Sequence, residues 1–272
     1  MAYDFNGSNQ WLQRSEAIFT GTSDSYTFTL AAWCRPDDRH EGTIIGADQG
    51  SGNAGRFSLF SRSNGRFALR RKGGFINEDS ASYDNGNTTY FHIAGTLQKS
   101  FRELYVDGVS RKTQSTNVTI DPAKATNFYI GRDHSGKYWD GKIGECAAYN
   151  AILSANEIAQ LAEGVSPLFI QPENLIGYWP LGGLYTDEVN DILGSYNLTA
   201  NNSPTTFDHP KAIYPSQVQK VVKPLAVAPP SPQQLHDYAL RPQQADYSLS
   251  VQQADYTHLK HHTDYKVPRN DS

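Results

Sequence analysis

Phe57-Ser58-Leu59-Phe60-Ser61-Arg62, then Ser63-Asn64-Gly65, then Arg66-Phe67-Ala68-Leu69-Arg70-Arg71, reads as two strands folded back on one turn. In the second arm Phe67 and Leu69 alternate with Arg66, Ala68 and Arg70. Period two with one apolar side is the pattern of a half-buried strand. Asn64-Gly65 tolerates the positive φ angles of a type I′ hairpin turn. The same grammar recurs outward from this stretch. Asp107-Gly108 joins Glu103–Val106 to Val109–Thr113. Tyr26, Phe28 and Leu30 alternate with Thr27 and Thr29, and Phe91, Ile93, Gly95 and Leu97 share one parity. Many short strands with frequent turns predict an all-β fold, an antiparallel jelly-roll sandwich. Trp33, Phe91, Ile93 and Val106 are expected in its core.

Composition agrees. The chain has 272 residues, 12% of them aromatic, with 16 Tyr, 22 Gly and one Met. That mix suits strands and turns rather than a helical bundle. The formal net charge is −4 and the basic residues are scattered, so no basic field invites nucleic acid. No apolar run reaches membrane-spanning length. Met1 is followed directly by strand-like Tyr3-Asp4-Phe5, with no basic and apolar leader, which favours synthesis in a cytoplasm. Cys34 and Cys146 are expected as reduced core thiols.

One short helix is predicted. Ser154 is its N-cap, Glu157 completes a capping box, and Ile158, Leu161 and Ala162 form the apolar stripe. Gly164 is placed to end it. Residues 1–213 are read as the jelly-roll domain and 214–234 as a Pro-rich linker in extended conformation. Residues 235–272 form a tail in which Asp-Tyr recurs every nine residues, at Asp237-Tyr238, Asp246-Tyr247, Asp255-Tyr256 and Asp264-Tyr265. A short fixed period signals an array rather than a globule. Nine extended residues advance about 30 Å, a reach suited to successive subunits or to like arms around a threefold axis. The eight Asp and Tyr residues of the repeat are therefore candidate anchors on other chains.

The globular part resembles the concanavalin A-like, laminin G-like jelly-roll family, which includes pentraxin-like modules. The resemblance is carried by Tyr3-Asp4-Phe5-Asn6-Gly7-Ser8-Asn9-Gln10-Trp11-Leu12, Thr27–Trp33, Phe91–Thr96, Glu103–Gly108 and Tyr129–Arg132. It continues through Trp139–Glu145 to Tyr149-Asn150 and Leu153-Ser154. It implies two packed antiparallel sheets. Family members often open with a strand like Gly177-Tyr178-Trp179-Pro180-Leu181, which here lies far downstream. Residues 175–213 are therefore read as a permuted strand pair. A separate small subdomain is the alternative.

The chemistry-bearing residues are sparse. Glycan hydrolases of related fold need two carboxylates about 5–9 Å apart. Glu103 with Asp107, and Asp187, Glu188 and Asp191, fail that pattern, so no catalytic pair is expected. The eight His residues show no zinc spacing. The resemblance raises calcium, for which Asp48, Asn53, Asp133 and Asp140 are loop oxygens, although Asp140-Gly141 also reads as a plain turn. No other cofactor is implied. Exposed aromatic faces beside polar donors mark glycan sites. Tyr138 and Trp139 next to Asp133 and His134 are candidates, as are Phe75, Asn77, Tyr83 and Asn85, with core packing the competing reading of Trp139 and Phe75.

Two functional readings follow. In the first, the chain is a non-enzymatic structural protein displayed on a virion surface and made in a host cytoplasm. It would be a bacteriophage capsid decoration protein, or a head or tail fibre component. Its tail would hold a major capsid protein or like copies of itself, as in a homotrimer. In the alternative it is a glycan-binding lectin or adhesion module, secreted or on a cell surface, with polysaccharide as partner. Nucleic acid and membrane are partners in neither.

Overall fold

Strand alternation of the kind quoted above builds two sheets in the computed structural model. It describes residues 2–22, 25–49, 55–71, 88–117, 119–182, 189–208 and 210, and the backbone of 74–77. The linker at 214–234, the tail at 235–272 with its anchors from Asp237 to Tyr265, and Asn53, Asn85, Tyr83, Asp187 and Glu188 lie outside the described residues. In chain order the strands begin β1 (Ala2–Asn6), β2 (Trp11–Arg14), β3 (Thr27–Pro36), β4 (Gly42–Asp48), β5 (Phe57–Ser61), β6 (Phe67–Arg71) and β7 (Gly74–Asn77). They continue with β8 (Phe91–Gln98), β9 (Arg102–Val106), β10 (Val109–Gln114), β11 (Asn127–Ile130) and β12 (Asp140–Tyr149). After the helix α1 (Ala155–Ala162) come β13 (Leu175–Trp179), β14 (Thr199–Asn201) and β15 (Thr205–Phe207). All belong to one compact unit, Met1–Lys223. Among the described residues no helix is long and apolar enough to cross a membrane.

One sheet is eight-stranded, in the order β10-β9-β8-β3-β12-β1-β15, with β13 also on β12. The other is seven-stranded, in the order β14-β2-β11-β4-β5-β6-β7. Every pairing is antiparallel. One edge of β12 is shared. Its first half pairs with β1, Tyr3 opposite Ile143, and its second half with β13, Cys146 opposite Trp179. A register break between Gly144 and Ala147 and a left-handed Glu145 (φ 52°) separate the halves. Residues 175–207 thus contribute three strands, β13 and β15 to the larger sheet and β14 to an edge of the smaller.

The core lies between the sheets. Phe28 stacks on Phe57 at 5.0 Å, Phe19 meets both edge-on, and Trp179 tilts against Phe128 at 4.8 Å. Cys34 and Cys146 are free, buried thiols within it, and burial pushes both thiols up. Ile93 and Val106 are buried as expected, and Phe91 packs against the core while partly exposed. Trp33 departs from expectation. Phe28, Leu30, Ala32 and Cys34 take the core-facing parity of β3. Trp33 therefore points to the outer face, half-buried, edge-on to His92 at 5.4 Å.

The two hairpins also differ. Asp107 (φ 50°) and Gly108 (φ 75°) both sit in the left-handed region, as a type I′ turn requires. At 64–65 only Gly65 does (φ 75°), while its N–H donates to the Arg62 carbonyl at 2.9 Å. That is the longer hairpin loop, a right-handed turn ended by one left-handed residue.

The helix forms as its sequence predicts. Glu157 N–H donates to Ser154 Oγ at 3.3 Å, and Ser154 N–H donates to Glu157 Oε2 at 2.7 Å. Ile158 and Leu161 bury the stripe against Ala94, Ala147, Tyr149 and Tyr178 on the outer face of the larger sheet. Gly164 (φ 96°) follows the last turn.

Candidate functional site

The helix lies over one outer face, and among the described residues no α-helix covers the other, that of the smaller sheet. Its residues follow from register. Leu12, Phe128 and Ile130 point into the core, so Trp11, Gln13, Asn127 and Tyr129 point outward. Asn201 lies opposite Trp11 and Thr199 opposite Gln13 on β14, which places them on the same face. Trp11 Nε1–H donates to Gln13 Oε1 at 3.2 Å, and Gln13 Nε2–H donates to Ser15 Oγ at 3.0 Å and Asn127 Oδ1 at 3.3 Å. Beside them opens a cleft of about 400 Å3, lined by Gln13, Arg14, Ser15, Glu16, Asn197, Thr199 and Asn201. Every lining side chain is polar. The single acid, Glu16, is ion-paired with Arg14, whose guanidinium also covers the Tyr196 ring at 5.3 Å.

The cleft wall is held from beneath by Asp191. Its Oδ1 accepts from the N–H of Tyr178 (2.8 Å) and Leu193 (3.1 Å), and its Oδ2 from Ser195 (3.2 Å) and Tyr196 (3.1 Å). Burial pushes this carboxyl up and the four backbone donors pull it back. Asp191 is therefore a scaffold for the loop leading to Asn197 and Thr199.

The loop from Gly131 to Trp139 brings Arg132 and Tyr138 to the Trp11 end of the same face. Gly131 (φ 86°) starts it where a Cβ would come within 2.7 Å of the Phe5 ring, so only glycine fits. Trp139 N–H donates to the Gly131 carbonyl at 2.8 Å and closes the loop. The guanidinium of Arg132 lies 4.3 Å over Trp11, 5.3 Å from the Tyr129 ring and 5.6 Å from Tyr138. Tyr138 is itself 5.8 Å from Trp11. Burial raises the Tyr129 phenol, so it is a neutral hydroxyl at ordinary pH.

Residues 6–159 match a laminin G-type family model, that of the concanavalin A-like lectin/glucanases superfamily. The chain belongs to this superfamily. Among solved structures it is similar to a "putative carbohydrate binding protein" from Bacteroides ovatus, at 22% identity and a TM-score of 0.58, over 79% of this chain and 63% of that one. The chain thus spans less than two thirds of that protein. A native heptameric SAP-like pentraxin from Limulus polyphemus aligns at 14% identity over 59% of this chain and 81% of its own, with a TM-score of 0.47. Domain 4 of a GH43 extracellular arabinanase from Geobacillus stearothermophilus, in complex with arabinotriose, aligns at 15% over 59% and 76%, also at 0.47. No curated protein matches the chain.

Within this superfamily member, the residues anticipated as glycan contacts separate. Tyr138 stays half-exposed on the open face, against Trp11 and Arg132. Trp139 does not serve as a sugar platform. It is fully buried, edge-on to His40 at 5.0 Å, and anchors the loop from below. Adjacent residues on an extended segment point opposite ways, so only one of the pair reaches solvent. Asp133 is also buried, as an internal brace. Its Oδ1 accepts from Ser135 N–H (2.9 Å) and Lys137 N–H (3.1 Å), and Oδ2 pairs with Arg70 at 2.6 Å. His134 Nδ1–H donates to Asp48 at 2.9 Å, which leaves Nε2 to accept from Arg56 at 2.5 Å. Phe75 and Asn77 belong to β7, whose side chains lie outside the description.

Of the calcium candidates, Asn53 lies outside the described residues, and Asp48 and Asp133 are engaged by protein groups. Asp48 and Asp133 already face His134, Arg70 and backbone N–H donors, where calcium needs six to eight oxygens. Asp140 belongs to another setting, with its N–H donating to His40 Nε2 at 2.9 Å. Among the described residues no three His, Cys, Asp or Glu side chains are grouped to hold a metal.

Trp11, Gln13, Arg132, Thr199 and Asn201 were missed in the sequence. One signal was available. In Trp11-Leu12-Gln13-Arg14 the large aromatic shares parity with Gln13, opposite the core residue Leu12.

Proposed function

We propose that this chain is a non-catalytic glycan-binding module, and that saccharides bind on the open face of the smaller sheet. The observation that carries the reading is the cleft of about 400 Å3 bounded by amide, hydroxyl and paired charged groups, whose Gln13 is bonded to Trp11, with Tyr138 next to Trp11. A sugar ring presents hydroxyls at its rim and C–H groups on its faces. Amides such as Gln13 and Asn201 donate and accept at once, which suits hydroxyls that do the same. Aromatic edges and faces cover the apolar patches. Pockets with a few placed polar groups on a rigid sheet are common small-ligand sites. The superfamily, and the same fold in the Bacteroides ovatus protein, support the reading.

Hydrolysis is not part of the proposal. Glu16 in the cleft is held by Arg14, Asp133 by Arg70, and Asp191 by four backbone donors. None stands opposite a second free carboxylate in the way that glycoside cleavage needs.

Titration of the full chain with soluble polysaccharides by calorimetry or affinity electrophoresis tests this. Binding is expected, with loss of about tenfold or more in Trp11→Ala and in Gln13→Ala, as one stacked ring or one buried hydrogen-bonding group would cost. Binding that survives both changes, or release of reducing ends by the wild type, would defeat it.

A further inference from the structure

We propose that this face selects acidic glycans, with the guanidinium of Arg132 receiving a sugar carboxylate. The inference rests on the glycan-binding reading and names its ligand class. Arg132 is a cation of this face that is fixed without an ion-paired acid. Its Nε–H donates to the Asp133 carbonyl at 3.0 Å. The Tyr129 hydroxyl is a second, uncharged partner, which leaves part of the five-donor group unused. Among the described residues no carboxylate lies within ion-pair distance of its guanidinium. Its neighbours are different: Arg70 is on Asp133, Lys137 on Glu41 at 2.9 Å, and Arg14 on Glu16.

What holds Arg132 instead is aromatic. Trp11, Tyr129 and Tyr138 surround the guanidinium at 4.3–5.6 Å. Cation–π contact orients the group and leaves its charge unneutralised. The remaining N–H pairs form a planar fork, and a planar two-oxygen acceptor matches it. Because the rings fix the side chain before a ligand arrives, little rotamer entropy is left to lose on binding. Of the nearby acids, Asp133 is paired with Arg70, and Arg56 lies within electrostatic reach of both Asp133 and Asp48.

The position suits a sugar acid rather than a free anion. Arg132 covers Trp11, and Trp11 is bonded to Gln13 and lies opposite Asn201 on the cleft rim. A uronate whose carboxylate meets Arg132 can therefore place ring hydroxyls toward the amides of Gln13 and Asn201.

The test uses the full chain with polygalacturonate and alginate, their methyl esters, and dextran sulfate, in calorimetry or affinity electrophoresis. Esterification removes the charge and keeps the ring. The acid polymer should bind about tenfold or more tighter than its ester. Arg132→Gln should erase that preference, and Arg132→Lys, which keeps charge without the fork, should retain only part of it. Thermal melts confirm that both variants fold, and should the Gln variant not fold, the Lys variant carries the test by the same criterion. Equal binding of acid and ester, an undiminished preference in the variants, or dextran sulfate bound as tightly as the uronates would overturn the assignment. If acid and ester bind equally and both are lost in Trp11→Ala, the glycan site stands and only acid selection falls. If the wild type binds none of these polymers, both readings fall.

Discussion

The two outer faces of the sandwich are built by the same alternation and end differently. On the larger sheet the outward residues are Ala31, Ala94, Ala147, Tyr105, Tyr149 and Tyr178, and α1 lies on them with Ile158 and Leu161. Small residues beneath the helix let it approach, and the remaining gap, about 10 Å3 between Trp33, His92, Glu145 and Leu161, has room for about one water. Burial drives the His92 imidazole down to about 3, so that ring is neutral at ordinary pH. On the smaller sheet the outward residues are Trp11, Gln13, Asn127, Tyr129, Asp48 and Arg70, with a cleft of about 400 Å3 beside them and, among the described residues, no α-helix above. One face spends its side chains on stability. The other leaves hydrogen-bonding groups and rings available, which is what recognition requires.

If that division is right, substitutions on the two faces should act on different observables. The largest loss of stability is expected on the covered face. Leu161→Ala removes a buried side chain from the helix stripe and should cost about 2–5 kcal/mol in urea unfolding, with glycan affinity of the folded protein unchanged. A loss of binding at full occupancy of the folded state would mean that the faces are coupled. Asp191→Asn comes next. Asn keeps one acceptor oxygen for Tyr178 and Leu193 but sets an NH2 against the N–H groups of Ser195 and Tyr196. About 2–3 kcal/mol should be lost. Because the same loop carries Asn197 and Thr199 to the cleft, binding should fall as well, making Asp191 the point where the comparison blurs.

The division was only half legible in the sequence. Period-two alternation, Asp107-Gly108 and the Ser154–Glu157 box identify strands, a hairpin and the helix, because each depends on neighbours within a few residues. Which outer face is open depends on where α1 lands, and that is settled by Ala94, Ala147 and Tyr178, far apart in sequence. Tyr138 and Trp139 illustrate the same limit. Both are aromatic residues in one loop, yet loop closure by the Trp139 N–H on Gly131 turns one inward and leaves the other at the surface. Arg132 carried no visible signal, since its environment is assembled from β2, β11 and the loop together. Asp48 and Asp133 looked like loop oxygens, and their partners Arg70 and His134 come from β6 and from the neighbouring loop residue.

A smaller effect lies at the helix start, on the covered side. Ser154→Ala removes the cap and should cost about 1 kcal/mol. Glu157 adds a pH signature. Burial raises its carboxyl, but the hydrogen bonds from Ser154 and Gln171 outweigh that and hold it below the ordinary value. A depressed acid stabilises the fold above its unfolded pKa, and the contribution fades as pH falls through the folded one. Stability of the wild type should therefore decline toward acid pH more than that of Glu157→Gln, as read from unfolding midpoints across pH 3–6. Parallel profiles would remove Glu157 from the account.

The smallest change in stability is the most demanding test of the comparison. Gln13 bridges Trp11, Ser15 and Asn127 on the open face, half-buried at the edge of the cleft. Its three bonds are all to side chains that can turn to water, so Gln13→Ala should shift unfolding by only about 0.5 kcal/mol or less. Asn201→Ala, on the adjoining edge strand, should do the same. For binding the expectation reverses, since a sugar hydroxyl that meets no amide loses its partner in a partly desolvated cleft. The pair thus predicts affinity loss at constant stability, the mirror image of Leu161→Ala. A stability loss as large as that of Leu161→Ala would place Gln13 among the structural residues, and the open face would then be scaffold like the covered one.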